Sequence, residues 1–341
     1  MHISIYMLIL ISYVDFCEKN MKRKITKHGP SSLTMSLPIK WVKENNLKAG
    51  DEVDVETTTR EVIIRKEERT KKRRRIKLNI DKFNKWMVER FIHESYRQGI
   101  DEIEITYTRE KIPDYRYNRE IRPEDFIKER ISYYIGLEII SHSKNRIVLE
   151  NLITKEECEK IEIVRKRIYF LIKEFMNDFY IGMKENFNKF SEKADYYHTN
   201  ITKFIYYYLR LLRAADIEEE TKVRLFGLYM MVIKVKHKLR HVNERLLEMK
   251  KITPKIREHL KMIFDLFLEE LENYHKENIT LEKIEGLASN RYKAVKKINT
   301  EKYTVEEARV IGDAKIMTDL IDSFIETHIA LNINKYTEEI K

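Results

Sequence analysis

Four cations, Lys22, Arg23, Lys24 and Lys27, fall within six residues of the sequence, and Lys40 follows in the next amphipathic stretch. Such side chains do little proton-transfer chemistry at neutral pH. Held on a rigid strand, they neutralise phosphate oxygens of a nucleic acid backbone. The plainer alternative is that they only solubilise a small domain. His237 and His241 stand four residues apart, the spacing of two metal ligands on one helical face. Lys236, Lys238 and Arg240 crowd the pair and repel a cation, and no His-Glu-x-x-His pattern surrounds it, so a basic helix surface is expected instead. Tyr206, Tyr207 and Tyr208 could stack on bases, but core packing with a partly wet face is the better reading. No Walker loop, Gly-x-Gly-x-x-Gly fingerprint or nucleophile elbow occurs, and eight glycines leave little material for a phosphate cradle. Neither an enzyme nor a cofactor is expected.

The distribution of charge sharpens the first reading. The 341 residues carry a formal net charge of +10. Residues 21–75 hold nine Lys and seven Arg against eight Asp and Glu, so most of the excess sits in this short segment. A basic module on a near-neutral body points to an anionic partner, and double-stranded DNA is the first candidate. An anionic membrane surface is less favoured because no basic amphipathic helix accompanies the charge.

The two cysteines, Cys17 and Cys158, build no disulfide framework, which fits a reducing cytoplasm. Residues Ile3 to Val14 are uncharged, but this run falls short of the roughly 18 residues a membrane span needs. No Lys or Arg precedes it as in a secretory signal. Met21 is the preferred natural start, with residues 1–20 an upstream or disordered extension. A secretory or membrane segment and a packed tail are the alternatives. No membrane insertion is expected.

The elements that must position these residues follow from periodicity. Residues 21–68 read as a small β-rich module: strands "RKITK" and "LTMSL", a short helix "IKWVKENNL" after Pro38, then strands around a "TTTR" turn. Four short strands and one helix are too few to fold well alone, so help from a partner chain is expected. Residues 69–75 read as a basic linker. Residues 76–152 read as a small α/β module of order βαβαββ, with Asp81 capping its first helix, Gly99 stopping it, "KIPDYRYNREIRP" as loop and "EDFIKERISYYIG" as a helix to Gly136. From 153 to 341 the pattern is helical. Ile161, Val164, Ile168, Leu171, Phe175, Phe179 and Phe187 share one expected face, and a shorter second helix spans about 196–213. Leu225, Leu228, Val232, Val235, Leu239, Val242 and Leu246 mark a third helix. Thr304 and Glu307 form a capping box for the last. The fold class is therefore multidomain and mainly α. A β-rich N-terminal module and an α/β segment precede six antiparallel helices in two three-helix halves, each running long, shorter, long.

Residues 22–66 resemble the AbrB/MazE/SpoVT swapped-hairpin DNA-binding domains. The resemblance rests on "KRKITKHG", "GPSSLTMSLP", "IKWVKENNL" and "KAGDEVDVE", with Pro38, Trp41, Leu47, Gly50 and Asp51 at the positions the pattern requires. The remainder, including "YYIGLEIISHSKNRIVLENL" and the helices, resembles archaeal PhoU-like phosphate uptake regulators carrying such a domain in front. The first resemblance implies a homodimer that interleaves its hairpins into one barrel and contacts DNA through Lys22, Arg23, Lys24, Lys27 and Lys40. The second implies transcription regulation in phosphate homeostasis, from a cytoplasmic protein. PhoU helices often carry an acidic residue followed four positions later by Asp. Here those positions hold Arg240 and Glu244, and Thr318 and Asp322, so metal clusters are not expected. The alternative function is an adaptor that binds no DNA, whose bundle meets a phosphate-transporter ATPase or a signalling protein.

Overall fold

The computed structural model describes residues 22–29, 32–57, 62–66, 73–215, 217–275 and 279–336. The expectations for residues 1–20 and for Lys71 and Lys72 lie outside them. The chain is mainly helical with a small N-terminal β segment, and it divides into two compact units, Met1–Lys72 and Arg73–Lys341.

In the first unit, β1 (Ile25–Lys27) pairs antiparallel with β2 (Leu33–Met35), α1 (Ile39–Glu44) follows, and β3 (Asp54–Thr57) pairs antiparallel with β4 (Val62–Arg65). The two hairpins are separate two-stranded sheets, so the described residues of one chain close no barrel. None of the unit's described residues is buried.

The second unit begins earlier than the expected linker boundary. Arg73 pairs with Glu150, the Arg74 guanidinium donates to the Gln98 carbonyl at 2.6 Å, and Arg75 opens β5 (Arg75–Asn79). The other elements of the α/β part are α2 (Lys85–Arg97), β6 (Glu102–Thr106), β7 (Ile112–Asp114), β8 (Arg119–Ile121), α3 (Pro123–Ile131), β9 (Leu137–Ser143) and β10 (Arg146–Asn151). Their main sheet has the order β5-β6-β10-β9, with β5 and β6 parallel and the remaining pairs antiparallel. Ile103, Ile105, Ile147 and Leu149 turn one face of it onto Val88, Ile92 and Tyr96 of α2, all fully buried.

Three expectations for this region need correction. Asp81 does not cap α2; Asn84 does, its side chain accepting from the Met87 N–H at 2.9 Å. Asp81 instead accepts from the Thr108 N–H at 2.6 Å and the Arg109 N–H at 3.2 Å, tying the end of β6 to the turn after β5. The stretch read as loop folds into the hairpin β7–β8, and α3 ends at Ile131, five residues before Gly136. Gly99 does end α2, at φ +72°.

A 3-10 turn, Lys155–Lys160, leads into α4 (Ile161–Lys184), α5 (Phe187–Ala214), α6 (Glu219–Glu248), α7 (Pro254–His275), α8 (Leu281–Thr300), α9 (Val305–Leu331) and the short α10 (Ile333–Tyr336). The described residues thus hold ten helices, of which α4 to α9 are long. The expected alternation of lengths fails in the first three, which run 24, 28 and 30 residues. The cause is a break at Glu185–Asn186. Asn186 is extended and accepts from the Lys189 N–H at 3.1 Å, so Phe187 opens α5 rather than continuing α4. Helices α4, α5 and α6 pack in succession, α7, α8 and α9 pack among themselves, and α6 on α9 and α4 on α7 join the two sets.

The α/β part and the long helices share one core, and the boundary expected at residue 152 does not separate compact units. Arg210 of α5 is buried and donates to the carbonyls of Tyr96 at 2.9 Å and Ile100 at 3.0 Å, closing the C-terminal end of α2.

Candidate nucleic-acid interface

The first unit presents its cations on a short scaffold. β1 and β2 are in register as Ile25 with Met35, Thr26 with Thr34 and Lys27 with Leu33. The hydroxyls of Thr26 and Thr34 meet across the strands at 3.0 Å. At the turn, Gly29 adopts φ +79°, and the His28 N–H donates to the Ser32 carbonyl at 2.9 Å. Lys22, Arg23 and Lys24 run into this hairpin and Lys27 lies on it, all exposed. Among the described residues, no carboxylate lies within 4.0 Å of any of these four. Cations already paired would have to give up a partner to meet phosphate; these need not.

Lys40 is placed differently. It sits on α1, exposed, with its ammonium 3.8 Å from Glu44 one turn on. A surface pair of this kind contributes about 0.3–0.5 kcal/mol and yields readily to a phosphate. Lys43, also exposed and three residues further along α1, is a cation the sequence reading passed over; its i, i+3 spacing from Lys40 was the available signal. The turn after α1 explains two residues of the pattern. Gly50 adopts φ +96°, and the Asp51 carboxylate accepts from the Lys48 N–H at 2.8 Å.

Many apolar residues of these elements face solvent, while Trp41, Val42, Ile63 and Ile64 are half-buried. Ile25, Leu33 and Ile39 are 65%, 71% and 64% exposed, and Val55 and Val62 on the second hairpin are 57% and 62% exposed. The described residues of the first unit therefore supply the strands and the cations of a module but no buried core.

The other candidates from the sequence lie in the second unit, most of them paired or buried there. The Arg240 guanidinium pairs with Glu244 at 3.1 Å. Thr318 is fully buried and donates to the Lys315 carbonyl at 2.6 Å, and Asp322 pairs with Arg291 at 3.1 Å. Burial first, then the cations Lys236, Arg90 and Arg240, push His237 down to about 3. Its ring lies 5.5 Å from that of His198, edge to face. His241 is exposed, 3.5 Å from Glu244. The basic helix surface expected here excludes Lys236, which is buried. Tyr206, Tyr207 and Tyr208 are all buried, with no wet face. Tyr206 meets His93 Nδ1 at 3.1 Å, Tyr207 donates to Glu157 at 3.3 Å, and Tyr208 packs on Tyr229. No helix among the described residues is long and apolar enough to cross a membrane.

Residues 27–72 match a family described as antidote-toxin recognition MazE, bacterial antitoxin. No curated protein and no solved structure matches the chain. The matched segment takes in Lys27 at the end of β1, then β2, α1, β3 and β4, and it supports a swapped-hairpin module of the MazE/AbrB type at the N-terminus.

Proposed function

We propose that the protein is a DNA-binding transcriptional regulator, not an enzyme, that acts in the cytoplasm as a homodimer through its first unit. The observation that carries this reading is the combination found in residues 22–66: unpaired cations on a short hairpin, and two hairpins whose apolar side chains form no buried core among the described residues. Exchange of hairpins with a second copy buries Ile25, Leu33, Val55 and Val62 and doubles the cation set about a two-fold axis. MazE/AbrB-type domains commonly dimerise and bind DNA, which fits this arrangement.

In this proposal the helical body receives the signal. The packing of α4–α5–α6 and α7–α8–α9 as two joined sets supports its PhoU-like reading, and a role in phosphate homeostasis rests on that resemblance. The MazE match also favours a second reading, an antitoxin-type regulator in which another part of the chain holds a partner protein.

Fluorescence anisotropy with labelled duplex DNA across a salt series tests the proposal. Affinity should fall linearly on logarithmic axes, with a slope of about 0.9 per phosphate contact. Absence of binding at low salt would leave the first unit as a dimeriser and move the search to protein partners of the helical body.

A further inference from the structure

We propose that a cavity between α4, α5 and α6 is a binding site for a small, partly protonated oxyanion, of which inorganic phosphate is the type, held chiefly by Lys236 and Arg240. The cavity measures about 170 Å³, with Phe175 of α4 among the residues that line it. Lys236, Arg240 and Asn243 recur at i, i+4 and i+7 along α6, and Ser191, Asp195 and His198 recur likewise along α5, so each helix turns one polar stripe toward the space.

Lys236 is the anomaly that demands a ligand. It is 3% exposed, and among the described residues its ammonium has one hydrogen-bond partner, the Thr202 hydroxyl. That hydroxyl in turn donates to the His198 carbonyl at 2.7 Å. Two of the three ammonium protons are therefore left without an acceptor. Among the described residues no carboxylate lies within 4.0 Å of it. The surroundings are cationic as well: Arg240, Arg90 and Arg130 all act to drive its proton off, and Glu89 alone of the neighbouring groups opposes them. A lone buried ammonium is costly unless it loses its proton or gains an anion.

The lining favours an oxyanion over a cation. The carboxylate of Glu244 is already engaged by Arg240 at 3.1 Å and by Arg116 at 3.5 Å, and Asp195 is exposed. No group of three metal-ligating side chains occurs among the described residues. His198 Nε2 is buried without a partner and, as the N–H tautomer, donates. Ser191 accepts from the Asn243 amide at 3.1 Å, which leaves its own proton for an anion oxygen. The buried Asn243 Oδ1 has no partner. It can only accept, so it selects an oxyanion that still carries a proton, such as hydrogen phosphate, over sulfate.

This inference deepens the phosphate part of the proposed function, and its test needs no DNA, so either can fail without the other. Isothermal titration of the full chain with inorganic phosphate, at pH 7 in a buffer free of other oxyanions, should show one saturable site per chain. Lys236→Met should weaken it at least ~10-fold, the loss expected for one charge-assisted hydrogen bond. Arg240→Gln should weaken it similarly at a partly exposed position, where folding is less at risk. Both variants should keep the wild-type helical circular dichroism. Sulfate should bind more weakly than phosphate. No saturable heat with phosphate, or unchanged affinity in both folded variants, would overturn the site. Sulfate binding as tightly as phosphate would overturn the role given to Asn243.

Discussion

Lys22, Arg23 and Lys24 owe their proposed role to having nothing else to do, and that makes them separable by mutation. Replacing all three with Ala should flatten the salt dependence of DNA binding by about 0.9 for each phosphate no longer neutralised, without changing the helical content. Lys236 is the opposite case, a cation with almost no solvent. Burial first, then Arg240, Arg90 and Arg130, lower its proton affinity to about 7. The folded chain therefore binds fewer protons than the unfolded one between about pH 7 and the ordinary lysine range, and stability rises with pH there. Lys236→Met should be the more stable protein at pH 6 in oxyanion-free buffer, with an advantage that shrinks as pH rises toward 10; thermal melts across that range measure it. The sequence hid this residue for a physical reason. The eye goes to His237 and His241, but α6 turns the neighbouring 236/240/243 face inward, beside the apolar stripe of Val232, Val235 and Leu239. Nothing in a single chain says whether a flanking lysine snorkels outward or is trapped.

Helices with strong apolar stripes were legible as elements, and those without clear stop signals were not. Leu225 to Leu246 on α6 are buried at the expected spacing. The α4–α5 break was missed because neither Gly nor Pro marks it; the cap at Asn186 is the whole signal. Asp81 was misassigned because Asp and Asn serve equally as caps, and only the fold shows that Asp81 is occupied by Thr108 and Arg109. The capping box of α9 was readable and is present. Burial alone would raise the Glu307 pKa, but hydrogen bonds from the Thr304 N–H at 3.0 Å, Lys255 at 2.9 Å and Thr253 at 2.8 Å outweigh it and hold it near 2. A depressed carboxylate contributes stability that is present above its unfolded pKa and is lost as pH falls through the folded one. Glu307→Gln should accordingly reduce the acid-side loss of stability between about pH 4.5 and 2, read by urea melts, and Thr304→Ala should cost ~1 kcal/mol at neutral pH. Where α4 meets α5, a Cβ on Gly182 would stand 2.5 Å from Phe190 Cβ. Gly182→Ala should cost roughly 1–3 kcal/mol by forcing these helices apart, seen as a lower denaturation midpoint.

At the scale of the molecule, the sequence separated a basic β-rich head from a helical body, because charge and periodicity change together near residue 75. It did not show that the α/β segment and the long helices make one unit. Arg210 reaches the carbonyls of Tyr96 and Ile100 across more than a hundred residues, and local pattern does not record such a bond. The head's own incompleteness was legible as a shortage of core, and the exposure of Leu33 and Val62 gives that shortage particular residues. Leu33→Asp with Val62→Asp should turn a dimer into a monomer, since each carboxylate would have to be buried in the shared core. On the proposed function, two copies of the first unit together grip one DNA site. Sedimentation velocity of the full chain with a labelled duplex should show two chains per duplex, and loss of the complex in both the Lys22/Arg23/Lys24→Ala and the Leu33→Asp/Val62→Asp variants. One chain per duplex, or a complex that survives both sets of substitutions, would contradict it.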